Sequence, residues 1–145
     1  MSAETTPYDV LERRAPPRGG FSVAILRIEV RRMLRNRRTM LFTVAMPVIF
    51  FLIFGLNNTY ADKKVGHGNV SAFIMISMAL YGAILATASG GSMVSIERAA
   101  GWSRQLRLTP LSPFAYIATK MLTSLVLGLG AVLAVYVTGA LSGRP

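Results

Sequence analysis

The sequence predicts an all-α membrane protein: an amphipathic helix before the first span, three transmembrane helices and one short loop helix. Two compositional observations and one pattern carry that expectation. The 145-residue chain is 52% hydrophobic and only 15% charged, too apolar and too charge-poor for an ordinary soluble domain. Its 16 lysines and arginines outnumber 6 acidic residues, and all of the lysines and arginines but Lys120 lie outside long apolar runs. Those runs, at about residues 39–56, 70–96 and 114–141, are each long enough to cross a bilayer. A net charge of +10 would point to nucleic acid in a soluble protein. Segregated charge instead follows membrane topology, so no nucleic-acid partner is expected.

Residues 1–20 contain Pro7, Pro16, Pro17, Gly19 and Gly20 without periodicity and read as a disordered tail. From Phe21 to Arg38 the pattern changes. Phe21, Ala24, Ile25 and Ile28 recur at helical spacing, while Arg27, Arg31, Arg35 and Arg38 run along another side. Such a basic amphipathic helix lies among headgroups with its arginines toward anionic lipid, or serves only as a positive anchor for the following span.

Thr39 to Leu56 is uncharged, and about eighteen residues cover roughly 27 Å, close to the hydrocarbon thickness. Pro47 removes one backbone hydrogen bond there and predicts a kink. A polar loop, Asn57 to Asn69, follows. Val70 to Ile96 is longer than a straight crossing needs, so it tilts, bends or projects, with Gly90 and Gly91 the expected bend. Small residues four apart (Ala86 and Gly90, Thr87 and Gly91, Ala88 and Ser92) offer faces for close helix approach. Ser112 and Pro113 have the form of an N-cap and first helical residue. The helix they open passes Lys120, expected to snorkel toward headgroups, and continues through the apolar stretch Met121 to Leu141. Ser124 with Gly128, and Gly130 with Ala134, supply further small faces.

Nine arginines precede the first span, and Arg98, Arg104, Arg107 and Lys120 lie in or beside the second loop. The first loop holds only Lys63 and Lys64. By the positive-inside rule the amino terminus and the 97–113 loop are cytoplasmic. A cleaved signal peptide ending near Ala61 is disfavoured, because the basic region and apolar run both exceed signal dimensions.

Absent residues narrow the chemistry. The chain has no cysteine and one histidine, His67, so thiol chemistry is excluded and a catalytic triad or metal cluster is not expected. None of the three lysines sits in a phosphate-binding loop. No catalytic residue, metal or cofactor is therefore assigned, and an enzyme is not expected. Active movement of a solute would draw its energy from another subunit.

The loop from Glu97 to Pro113 is the most patterned polar segment. Glu97 to Leu108 suits about three helical turns. Trp102 and Leu106 form one apolar ridge, Arg98, Arg104 and Arg107 surround it, and Pro110 ends it. Two readings fit these residues: an aromatic-plus-arginine anchor for a protein partner, or an interfacial helix with Trp102 at headgroup level.

With the basic pre-span helix, the stretch AMPVIFFLIFG and the loop ERAAGWSRQLRLTPLSPFAYIATK, residues 21–141 resemble the membrane subunit of type 2 ABC transporters, the drug- and polysaccharide-exporter permeases. The resemblance implies that the loop is a coupling helix seated in a separate cytoplasmic ABC ATPase, which uses the ATP. It places Glu97, Arg98, Gly101, Leu106, Arg107, Thr109 and Pro110 in the coupling element, with Trp102 and Arg104 beside them. Tyr116 and Lys120 match the start of the next span. It further implies a second permease copy, identical or different, a plasma-membrane location, and efflux of a drug, lipid or polysaccharide.

Family members usually have six spans in roughly 250 residues, so this chain is expected to be the amino-terminal half of a partial permease domain, residues 21–145. The alternative is a small membrane scaffold or regulatory subunit whose spans pack with a partner. A third reading, an interfacial lipid-binding protein, uses only Phe21 to Arg38 and ignores the loop. Phe73, Met75, Met78, Tyr81 and Tyr136 either line an amphipathic substrate path or simply pack the bundle, which is the default for apolar side chains.

Overall fold

The computed structural model describes residues 20–56, 59, 61–102, 104, 108 and 111–143. The expected tail, residues 1–19, lies outside them. The described chain is an all-α membrane protein with three helices long and apolar enough to cross a bilayer.

Helix α1 (Val23–Arg35) begins where the Ser22 hydroxyl accepts the Ala24 N–H at 3.2 Å. It ends at Asn36, whose backbone leaves the helical region at φ −76°, ψ 94°. The same Asn36 starts the next helix by accepting the Thr39 N–H at 3.3 Å. One residue thus ends a surface helix and opens a span. Two expectations change as a result. Arg38 belongs to the first turn of the span rather than to α1. The face that packs inward is Leu26, Glu29, Val30 and Met33, whereas Ile28 is 67% exposed.

Helix α2 (Arg37–Leu56) alternates α-helical turns with π-helical turns at Leu41–Ala45 and Phe51–Leu56. The irregularity expected from Pro47 takes this form. Met46 donates its N–H five residues back, to the Leu41 carbonyl, and the wide turn adjoins the residue that has no N–H to give. Pro47 is buried and faces Gly82, where an added Cβ would stand only 3.1 Å from the Thr43 carbonyl and 3.3 Å from Pro47 Cγ. Gly82 therefore sets how closely α2 meets the helix after it.

A minimal ribbon, β1 (Lys64–Val65) and β2 (Gly68–Asn69), turns the chain with Lys64 opposite Asn69. Asn69 then caps α3 (Val70–Ala99) by accepting the Ala72 N–H at 2.7 Å. At 30 residues, α3 is about 45 Å long and outreaches the roughly 30 Å hydrocarbon layer. Its helical bonding is unbroken through Gly90 and Gly91, where a bend was expected. Gly90 serves close approach: a methyl there would collide with the Ser124 hydroxyl.

Helix α4 (Pro113–Leu141) opens as the sequence predicts, with the Ser112 hydroxyl accepting the Ala115 N–H at 3.1 Å and Pro113 in the first turn. The α3–α4 seam is the main packing surface of the chain. Along α3 the buried residues are Ser71, Met75, Ala79, Gly82, Ala86 and Gly90, spaced four apart with a single step of three. Along α4 the seam includes Ser124, Leu127, Gly128, Ala131 and Val135. Of the predicted small faces, Ala86 with Gly90 and Ser124 with Gly128 are used, while Thr87, Gly91 and Gly130 face outward. Two apolar clusters anchor the bundle: Phe51, Met75, Ala79 and Val135 near the ribbon end, and Met33, Ala86 and Leu127 near α1. Met75 thus packs the core, while Phe73, Tyr81 and Tyr136 face outward.

Gly90→Val is expected to destabilise the detergent-solubilised chain by about 1–3 kcal/mol through overpacking, read as a lower melting temperature. Gly91→Val, where an added Cβ meets nothing within 4 Å, should leave the melt nearly unchanged. Adding Ser124→Gly to Gly90→Val should recover part of the loss.

Candidate functional site

At the end of the bundle nearest α1, three helices bring five polar side chains into one cluster. Lys120, on the second turn of α4, points its ammonium between two carboxylates. It donates to Glu97 Oε1 at 2.7 Å and to Glu29 Oε1. Glu97, on the last turn of α3, also accepts from Arg32 Nη1 at 3.2 Å and, through Oε2, from the Tyr116 hydroxyl. Arg32 stands 3.7 Å from Glu29 Oε2 on its own helix. The Lys120 ammonium lies 5.6 Å from the centre of the Tyr116 ring, within cation–π range.

Local sequence explains each placement. Glu29 and Arg32 are three apart on α1, and Tyr116 and Lys120 are four apart on α4, so each pair shares a helix face. The side chains of Lys120, Glu97 and Glu29 are 10%, 12% and 19% exposed, whereas Arg32 is 55% exposed. Two carboxylates face two cations, so the node is electrically neutral. Burial at this level makes pairing obligatory, because an isolated charge taken from water costs several kcal/mol. Arg32, mostly solvated, contributes geometry more than energy.

Lys120 was expected to snorkel outward. It turns inward because two carboxylates on separate helices wait there, and Glu29 had no assigned role in the sequence reading. The signal was present: Glu29 is the single acid in a basic helix, and it shares a face with Leu26, Val30 and Met33. An acid on the packing face of a helix needs a buried cation, and Lys120 is the lysine nearest a span.

The loop itself departs from one continuous helix of three turns. Glu97 and Arg98 belong to α3, which is capped at Ala100 and turned by Gly101 at φ +75°. Gly101 donates to the Arg98 carbonyl at 3.1 Å, an arrangement in which any side chain would be strained. Beyond it the Arg104 N–H meets the Gly101 carbonyl at 3.0 Å. Trp102, 45% exposed, lines a small cavity of about 110 Å³ with Ile25, Leu111 and Tyr116, whose walls include Glu97 and Lys120. The node and the loop are therefore adjacent. Arg98, Arg104 and Leu108 are exposed. Leu106, Arg107, Thr109 and Pro110 lie outside the described residues, and with them the Trp102–Leu106 ridge. Arg27, Arg31 and Arg35 are exposed on α1, and Arg38 is exposed on α2.

Chemically, the node is a clamp rather than an acid–base pair, since each carboxylate already accepts from a cation. Lys120→Met is expected to cost about 3–5 kcal/mol by leaving two carboxylates to share the half-exposed Arg32 as their one cation. Melting of the solubilised chain would report it. The combined Glu29→Gln, Glu97→Gln and Lys120→Met change should be milder than Lys120→Met alone.

Comparison with known proteins places the chain in a family. The Bacillus subtilis (strain 168) protein named "Putative transport permease YvfS" is 26% identical over 121 residues, covering 78% of this chain and 46% of that protein. The chain thus spans about half the length of the relative it matches. No solved structure matches it. Residues 22–143, from the cap of α1 to two residues past the end of α4, match the family described as ABC-2 type transporter, and the chain belongs to that family of multi-pass membrane proteins.

Proposed function

We propose that this chain is part of the membrane-spanning permease subunit of an ATP-driven exporter, in which α1 and the 97–110 loop engage a separate cytoplasmic ATPase. One observation carries the proposal. Glu97 sits where the loop leaves α3, and it holds α1 through Arg32 and α4 through Tyr116 and Lys120. Force on the loop therefore reaches three helices at once. Trp102, exposed beside the same node, offers the aromatic surface that protein anchors favour.

In this reading ATP is bound by the partner, and its closure shifts the population of membrane arrangements rather than driving chemistry in this chain. Close seams such as Gly90 against Ser124 favour discrete repacking over gradual deformation. A second permease copy completes the path, and the subunit sits in the plasma membrane with its amino terminus and loop in the cytoplasm. The substrate class is an amphipathic drug, a lipid or a polysaccharide. Membership of the transporter family supports this reading over a non-transport scaffold.

Coexpression with the ATPase and affinity capture test the docking. Trp102→Ala, and separately Arg107→Glu, should weaken capture by roughly 30-fold, the loss typical of an interface hot spot. Lys120→Met should retain capture while losing transport. Unchanged capture in both loop variants would remove the docking assignment. Orientation is separately testable because the chain has no cysteine. Ser22→Cys should react with an impermeant maleimide only after the cells are opened, and reaction in intact cells would reverse the topology.

A further inference from the structure

Against the node lies a cleft whose lining includes Glu29, Arg32 and Lys120 of the clamp. It encloses about 730 Å³ between α1 and the seam of α3 and α4, a volume ordinary for a small-molecule site. Away from the node its walls differ in chemistry. Arg31 and Arg35, four apart on one face of α1, form a basic rim with Asn36. Ile28, Met33 and Met93 form an apolar wall.

The rim carries charge that no described carboxylate meets. Glu29 and Glu97 are matched by Lys120 and Arg32 within the node. Among the described residues no carboxylate stands within ion-pair distance of Arg31 or Arg35. Two guanidiniums a turn apart match a phosphate, whose oxygens accept bidentate hydrogen bonds. Inorganic phosphate would satisfy the rim and leave the apolar wall bare. An amphiphile with an anionic head satisfies both, and a chain with three apolar spans is surrounded by such molecules.

We propose that this cleft is a binding site for one anionic phospholipid, its phosphate held by Arg31 and Arg35 and an acyl chain laid along Ile28, Met33 and Met93. The proposal rests on α1 lying at a membrane surface and is independent of ATPase docking. It differs from general attraction of a basic helix to anionic lipid in naming a site of defined stoichiometry. Arg27 and Arg38 lie outside the cleft lining, so the two ideas separate experimentally. A bound lipid would also fill the gap between α1 and the bundle, adding to the contacts that the ion node and Met33 already make.

Native mass spectrometry of the full chain, released from mild detergent after incubation with phosphatidylglycerol or phosphatidylcholine, tests this. One retained phosphatidylglycerol is expected, with no equivalent phosphatidylcholine. The double variant Arg31→Gln, Arg35→Gln should weaken retention at least roughly tenfold, from the loss of two guanidiniums near one phosphate. The double variant Arg27→Gln, Arg38→Gln removes equal charge and should leave retention unchanged. Met93→Trp, which alters no charge and fills the apolar wall, should also lower it. Circular dichroism confirms that each variant folds. Equal losses in both arginine pairs would show diffuse surface attraction and overturn the site. Displacement of the lipid by inorganic phosphate would overturn the lipid assignment, as would retention untouched by Met93→Trp.

Discussion

A lysine ammonium held between two carboxylates, at the point where three helices meet, is the constraint on which this end of the molecule depends. At an effective dielectric near 20, opposite charges about 4 Å apart attract by about 4 kcal/mol, comparable to the several kcal/mol spent in desolvating each ion. The node thus adds little net stability over an apolar contact of equal volume. What it adds is a fixed geometry. Apolar faces between membrane helices slide and rotate at low cost, because lipid tails are as apolar as the faces themselves. Glu29, Glu97 and Lys120 accept one arrangement of α1, α3 and α4, and penalise the others by unpairing a buried charge.

Below the node, close packing takes over. Gly82, Ala86 and Gly90 let α3 approach its neighbours closely, and Ser124, Gly128 and Ala131 answer from α4. Such small residues bring backbones near enough for dispersion to act along the whole seam. The buried hydroxyls of Thr119, Thr123 and Ser124 are satisfied by carbonyls four residues back on their own helix. They therefore need no partner across the seam. This leaves specificity to shape in the seam and to charge at its end, two separate devices on the same pair of helices.

Much of this was legible in the sequence. Run length and charge segregation gave the three spans. Ser112 with Pro113 gave the start of α4, and spacing four apart gave Ala86, Gly90, Ser124 and Gly128 as contact positions. Other features were hidden for identifiable reasons. Periodicity showed that α1 is amphipathic, but the hydrophobic stripe through Ile28 was not the face that packs. Glu29 reverses the rule, because a paired carboxylate is buried where Ile28 is not. Gly90 carries two readings in the sequence, because glycine serves both flexibility and proximity in a helix, and the neighbouring helix makes proximity matter here. Gly101 illustrates the same residue in a third use, as the left-handed residue that stops α3. Lys120 was misplaced because snorkelling considers one helix alone, whereas its partners come from residues 91 and 23 positions away in the chain.

Asn36 gives the architecture a mechanical property. Since this one residue both closes α1 and opens α2, the two helices share a pivot with the rotational freedom of a single backbone position. Glu29 lies seven residues from that pivot, an arm of about 10 Å along the helix. A swing of about 10° at Asn36 then carries the Glu29 carboxylate by about 2 Å, given that arm. Ion pairing is lost over such a distance, while the Glu97–Lys120 contact, which does not involve α1, stays closed. The node therefore has a built-in order of release, in which the surface helix lets go before the two spans do.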